Sequence, residues 1–155
     1  MRLLSFGFTA ILALYLQAAF GATPEEEARF VAAARKAFEQ HDADALVGLT
    51  CWDRVPDDIQ ASEKRLYALR VAQQVTKMEL VSHNKYPHVV RRDKNGVLLR
   101  ANLHIVKMLE ITHAPKPDGA AGDEKKKLAQ GYPVGEKDGK LYLLQLAPAE
   151  DGKVE

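Results

Sequence analysis

Apolar residues recur at helical spacing in the first third of the chain. Phe30, Ala34 and Phe38 stand four residues apart, which places them on one face of a helix. The preceding residues, 23–26, have the threonine, proline and glutamate spacing of a capping box at a helix start. The pattern therefore predicts a first helix that begins directly after the threonine.

Two further helices are predicted before the apolar period changes. Asp42 is placed to cap a short second helix that reaches Leu49. Asp57 and Gln60 have the capping-box spacing again and predict the start of a third helix over residues 58–75. The apolar stripe of this third helix is less regular than that of the first.

From residue 75 onward the alternation becomes strand-like. Residues 75–82 form the first predicted strand, and Asn95-Gly96 predicts a two-residue hairpin turn. Residues 97–113 are the best strand pattern, with apolar odd positions facing a core and polar even positions on the other face. An extended strand of that length would span about 50 Å, so we expect it to be bent or bulged. A closing hairpin over residues 128–147 turns at Asp138-Gly139.

The N-terminus has a different pattern. Arg2 is followed by an almost unbroken apolar stretch, and the small residues Ala19 and Gly21 lie at the positions that a signal peptidase reads. We therefore interpret residues 1–21 as a signal peptide that is cleaved after Gly21 or Ala22.

An uncleaved membrane anchor is the alternative, because about 20 apolar residues suffice to cross a bilayer. The acidic residues 25–27 follow without a basic cluster, which favours cleavage. We expect a protein exported to the periplasm or the extracellular space, with no stable membrane anchor after cleavage. The remainder is predicted to be one α+β domain over residues 22–147 with a flexible tail, 148–155.

Charge and cysteine content narrow the functional classes. The chain has 22 basic and 21 acidic residues, and Arg2, in the signal peptide, supplies the extra charge. A neutral mature chain argues against nucleic-acid binding, which requires a basic excess. Cys51 is the one cysteine and cannot form a disulfide within the chain. In an oxidising compartment it must therefore be buried, paired with another chain or reactive, and its apolar neighbours Leu49 and Trp52 favour burial.

The five histidines do not suggest a metal site. His104 and His113 share the predicted long strand but differ in parity, so they face opposite sides of it. No carboxylate–histidine cluster with ligand spacing occurs elsewhere, and we expect neither a metal nor a cofactor.

Three helices followed by a curved antiparallel sheet resemble the nuclear transport factor 2-like superfamily, which includes SnoaL-like proteins and ketosteroid isomerases. The resemblance rests on residues 30–46, on the long strand 97–113 and on the final hairpin, 133–144, with Asp-Gly in its turn. It implies a cone-shaped α+β fold in which three N-terminal helices pack on the sheet. It also implies an apolar pocket at the open end of the cone and a homodimer formed through the outer face of the sheet.

Four residues are candidates for ligand binding in such a cone: Trp52, Asp53, Tyr67 and His104. Each also has a structural interpretation, because Trp52 and Tyr67 can fill a core, and His104 can be a surface residue. Asp53 can cap a turn or pair with Arg54. A carboxylate in an apolar mouth would instead have a raised pKa and could act as a base.

The predicted function is a binding or protein-interaction module, with a small apolar ligand or a protein as its partner. The alternative is a small hydrolase, isomerase or dehydratase that uses a carboxylate or histidine in the cone. Ketosteroid isomerases place a tyrosine donor on the first helix, where this chain offers Phe30 and Phe38, which argues against isomerase activity. We expect large apolar side chains to fill the cone.

Overall fold

The structure, a computed structural model, describes residues 22–83, 90–93, 95–114 and 129–149. The predicted signal peptide and the last six residues of the predicted tail lie outside these ranges. The fold is α+β, with three helices and an antiparallel sheet curled into a half-barrel. Its elements follow in this order: α1 (Pro24–Glu39), α2 (Ala43–Gly48), α3 (Asp57–Val71), β1 (Val75–Ser82), β2 (Val90–Arg92), β3 (Leu98–Ala101), β4 (Ile105–His113), β5 (Ala129–Lys137), β6 (Lys140–Leu143) and β7 (Leu146–Pro148).

The predicted starts of α1 and α2 are confirmed. The Thr23 hydroxyl accepts a hydrogen bond from the Glu26 N–H at 3.2 Å, and the Asp42 carboxylate accepts one from the Ala45 N–H at 3.0 Å. In a full capping box the Glu26 carboxylate would accept from the Thr23 N–H. Here it pairs with Arg29 at 3.0 Å.

Helix α3 differs from its prediction at both ends. It begins at Asp57, and Pro56 occupies the capping position without a side-chain bond. The Gln60 amide donates to the Val55 carbonyl at 2.9 Å and makes no capping box. The helix ends at Val71, before residue 75, because the backbone is already extended there as β1.

The predicted long strand 97–113 is two strands. β3 and β4 are separated at residues 102–104, and they belong to different sheets, ordered β1-β4-β5-β6 and β2-β3-β7. The expected bend is therefore a complete break in pairing. The predicted tail begins too early, because Pro148 belongs to β7 and pairs with Leu99 of β3. The N–H of the next residue, Ala149, donates to the Leu98 carbonyl.

The first hairpin turn is one residue longer than predicted. Asp93 lies opposite Val97, where its N–H donates to the Val97 carbonyl at 2.9 Å, so the turn itself lies between these two residues. Gly96 adopts a φ of 81°, the left-handed conformation typical of such a turn. The second turn is tight as predicted, with φ of 53° at Asp138 and 74° at Gly139.

The inward and outward alternation holds only in the second half of β4, over residues 109–113. Leu109 and Ile111 are buried at odd positions, as predicted, and His113 is buried at the next odd position. Met108, an even position, is buried as well. Before the break the predicted alternation fails. Val97, predicted to face the core, is 44% exposed, and Asn102, predicted to lie on the polar face, is only 2% exposed. A change in strand direction resets which side chains face the core, and one residue of offset exchanges the two faces.

Asn102 holds this break in place. Its amide nitrogen donates to the Cys51 carbonyl at 2.8 Å and to the Asp53 carbonyl at 3.1 Å. Its side-chain oxygen accepts from the Gln145 N–H at 3.2 Å, and its backbone carbonyl accepts from Arg54 at 3.0 Å. The junction therefore joins the loop after α2 to the break before β4 and to the β6–β7 connection. Burial of Cys51, which is a free thiol, is confirmed.

One hydrophobic core unites the helices with the four-stranded sheet. Helix α1 contacts β1 and β6 on the sheet, and α2 and α3 on the helical side. Among the helices described, none combines the length and the apolar content that crossing a bilayer requires. The core consists of these buried residues: Phe30, Ala34, Ala37, Phe38, Leu46, Tyr67, Val71, Met78, Leu109, Ile111, Val134, Leu141 and Leu143.

Candidate functional site

The structure brings together two of the four predicted site residues. The rings of Trp52 and Tyr67 lie 6.3 Å apart and are tilted by 60°. The Trp52 indole donates to the Val47 carbonyl at 3.0 Å, and the Lys64 ammonium lies 5.6 Å from the centre of the Trp52 ring. Trp52 is half-buried, and the indole N–H, the one donor of its side chain, is already used within the fold.

The hydroxyl of Tyr67 is deep in the core and has two partners. The Thr50 hydroxyl donates to the Leu46 carbonyl at 2.7 Å, so the Tyr67 hydroxyl donates to the Thr50 oxygen at 3.0 Å. The Gln145 amide then donates to Tyr67 at 2.8 Å. Burial raises the pKa of Tyr67 above 10.0, and the phenol stays protonated at neutral pH.

The pKa of Asp53 is shifted in the opposite direction from that of a carboxylate base in an apolar site. Its exposed carboxylate pairs with the Lys137 ammonium at 2.5 Å. The hydrogen bond from Lys137 lowers the pKa of Asp53, and the same bond raises the pKa of Lys137. The raised pKa expected for a carboxylate in an apolar mouth is therefore wrong for Asp53, because its side chain lies in solvent beside a cation.

His104 lies at the break between β3 and β4, with an exposed side chain. Its backbone is tightly packed, since a Cβ on Gly135 would stand 2.7 Å from the His104 carbonyl oxygen. Glycine is required at that close approach, so the position of His104 is set by backbone packing.

A tyrosine–arginine cluster, which the sequence analysis missed, adjoins Tyr67. It consists of Tyr67, Arg70, Tyr132 and Glu63. The Arg70 guanidinium lies 5.5 Å from the centre of the Tyr67 ring and 5.3 Å from that of Tyr132, and its ion pair with Glu63 measures 3.3 Å. The three-residue spacing of Tyr67 and Arg70 on α3 could have indicated half of this cluster, but nothing local predicts Tyr132.

The tyrosine–arginine cluster borders a small internal cavity. The cavity offers about 10 Å³ to the centre of a water molecule, which is about the space that one water requires. Large side chains fill this part of the interior, as the apolar patterns predicted. Apart from the cluster, its walls are apolar and are formed by Phe38, Leu46, Leu109, Ile111 and Leu143.

A much larger groove opens on the surface, where the end of α1 meets the connection between α3 and β1. Its volume is about 460 Å³, within the range of small-molecule sites, roughly 300–1,000 Å³. The apolar side chains of Ala72 and Val75 complete its lining. The side chains that give it chemical character are Arg35, Phe38, Glu39, His41, Gln73 and Gln74.

Behind this groove, beside Phe38, lies the buried histidine His113. His113 is 6% exposed, and its ring centre lies 6.2 Å from that of Phe38. Neither ring nitrogen has a hydrogen-bond partner among the described residues. Burial lowers the pKa of His113 below 6.5, and the nearby Gln130 side chain offsets part of this without reaching hydrogen-bond geometry. The odd parity of His113, shared with Leu109 and Ile111, was the signal for its burial.

Within the ranges that the structure describes, no group of three or more histidine, cysteine or acidic residues is arranged to hold a metal ion. Comparisons with known proteins found no match: no family model, no curated protein and no solved structure matches the chain.

Proposed function

We propose that this protein is an exported binding or interaction module with the cone-shaped fold of the nuclear transport factor 2-like superfamily. The order of elements supports this fold, because three helices precede a curled antiparallel sheet. The contacts of α1 with β1 and β6 also support it, since a cone requires the first helix to lie against the sheet.

Binding is favoured over catalysis by one observation, the state of the interior. The internal cavity has room for about one water molecule, and the Tyr67 hydroxyl beside it already has two partners. A substrate would need both space and uncommitted polar groups there. Recognition is therefore proposed to occur on the surface, with the groove at the end of α1 as the small-molecule site.

The remaining features of the proposal come from the sequence. Cleavage after Gly21 or Ala22 would release a neutral chain into the periplasm or the extracellular space. The neutral charge favours an uncharged ligand or a protein partner over nucleic acid. A homodimer through the outer face of the sheet is proposed from the family resemblance.

Native mass spectrometry of the full-length gene product, recovered from the compartment to which its own cells deliver it, tests this proposal. We expect the mass of a chain cleaved after Gly21 or Ala22, a dimer, and a retained small molecule or protein. The proposal is wrong if the protein is an intact membrane-bound monomer with nothing bound. Turnover of ester, epoxide or ketosteroid substrates that is lost in His104→Ala would establish the enzymatic alternative.

A further inference from the structure

The groove at the end of α1 and the internal cavity share one wall, the side chain of Phe38. Phe38 lines both spaces and is itself only 5% exposed. Its ring therefore separates about 460 Å³ of open groove from the apolar interior. Displacement of this one ring toward the groove would open the space that the ring now fills.

The group directly behind that wall is the unsatisfied histidine. The rings of Phe38 and His113 are 6.2 Å apart and tilted by 50°, and Val75, which lines the groove, pairs with His113 across β1 and β4. Buried polar atoms in native proteins nearly always have a partner, so each exception requires a physical explanation. A ligand group that enters from the groove would give the His113 imidazole a partner that the described residues do not supply.

The rim of the groove indicates what kind of ligand would enter. Arg35 and Glu39 contribute opposite formal charges, and Arg35 already donates to the Met78 carbonyl at 3.2 Å. Gln73 and Gln74 add neutral amides that both donate and accept. Because the charges cancel, this rim suits an uncharged polar molecule better than an anion or a cation.

His41 adds an imidazole ring to the rim. Its Nδ1 donates to the Val71 carbonyl at 2.7 Å, because a carbonyl oxygen can only accept. Nε2 is the other polar atom of the ring. The rim thus combines donors and acceptors around an aromatic floor.

We propose that this groove binds small aromatic alcohols of the phenol class, with Phe38 as a displaceable wall and His113 as the deep hydrogen-bonding group. The ligand ring takes the place that the Phe38 ring vacates, and its hydroxyl donates to the imidazole nitrogen that has the lone pair. No covalent step is involved. This inference rests on the proposed binding function and specifies the ligand class of the same groove.

The test is a titration of the mature, 15N-histidine-labelled protein with phenol and, separately, with toluene, followed by NMR of the histidine ring nitrogens. Toluene has the same ring without the hydroxyl. We expect phenol to shift the His113 ring signals and to bind about tenfold more tightly than toluene, the ratio that one added hydrogen bond typically gives.

Two variants probe the two components. In His113→Leu, phenol should lose its advantage over toluene, whereas the matched His83→Leu variant, at a half-buried histidine that directly follows β1, should keep it. Phe38→Leu, which retains an apolar core residue, should bind phenol several-fold more tightly because the wall is smaller. Phe38→Ala is the stronger form of this change if the variant folds.

The inference is overturned if phenol leaves the His113 signals unchanged, or if the preference for phenol persists in His113→Leu. It is also overturned if Phe38→Leu weakens binding. These outcomes differ from failure of the proposed function, because a dimer or a retained partner in native mass spectrometry would stand without any phenol binding.

Discussion

Two regions of the core bury a polar ring group and treat it in opposite ways. In the tyrosine–arginine cluster, the Tyr67 hydroxyl has two hydrogen-bond partners. At the groove, His113 is buried to a similar extent, yet its ring nitrogens have no partner among the described residues. The first region is complete as it stands, and the second has two ring nitrogens without a partner among the described residues. Burial alone therefore does not show whether a polar group is satisfied, whereas its hydrogen-bond partners do.

The largest expected effect is in the satisfied region. Tyr67→Phe removes a hydroxyl that bonds Thr50 and Gln145 and leaves both without this partner. The free energy of unfolding should fall by about 1–3 kcal/mol in urea denaturation. Tyr142→Phe, at a half-buried tyrosine of β6, is the matched control and should change it by less than about 0.5 kcal/mol. Equal losses of stability in the two variants would mean that the hydrogen bonds of the Tyr67 hydroxyl do not stabilise the fold.

The opposite sign is expected at the groove. His113→Leu replaces two unsatisfied nitrogens with an apolar side chain of similar size, and the free energy of unfolding should rise by about 1 kcal/mol. The same urea experiment measures it. A loss of stability of 1 kcal/mol or more would mean that His113 does have a partner in the folded protein.

Arg70 should contribute less than Tyr67, although its guanidinium lies close to two rings. It is partly exposed, and its pair with Glu63 is therefore screened by solvent. Arg70→Gln should lower the free energy of unfolding by about 0.5–1 kcal/mol, mostly through lost cation–π contact. Arg65→Gln, on the exposed face of α3, is the control, and thermal unfolding of both variants decides whether the cluster is stabilising.

The smallest expected effect is a pH dependence. The folded-state pKa of His113 lies below 6.5, so the unfolded chain binds more protons as the pH falls through 6.5. The contribution of His113 to stability should therefore be constant well above that pH and should decline below it, until the folded state is also protonated. Subtracting the pH profile of His113→Leu isolates this component, and identical slopes in both proteins would contradict it.

Local patterns predicted the elements whose signals are local. The start of α1 follows from residues 23–26, and the turn at Asp138-Gly139 follows from the preference of that dipeptide for positive φ. The α+β order also followed, because helical spacing precedes alternation along the chain. These features depend on neighbours within a few residues, which a single sequence contains.

The rest depended on tertiary contacts. The break at residues 102–104 is stabilised by bonds from Asn102 to residues 43 to 51 positions away, and nothing in the alternation of the strand indicates it. Of the candidate site, Trp52 and Tyr67 were predicted and do lie together. Arg70 on α3 and Tyr132 on β5 meet only in the folded protein, and no local pattern shows that the ring nitrogens of His113 have no partner among the described residues.

The junction at Asn102 also has a consequence for the order of folding. It closes loops of 43 to 51 residues, and such long-range contacts form only after the chain has lost much of its freedom. The helices can nucleate earlier, because their bonds are local. The two sheets should thus acquire their final mutual arrangement late, after the transition state. Substitutions at Asn102 would then act mainly by accelerating unfolding, and the lifetime of the native protein would depend on this one side-chain amide.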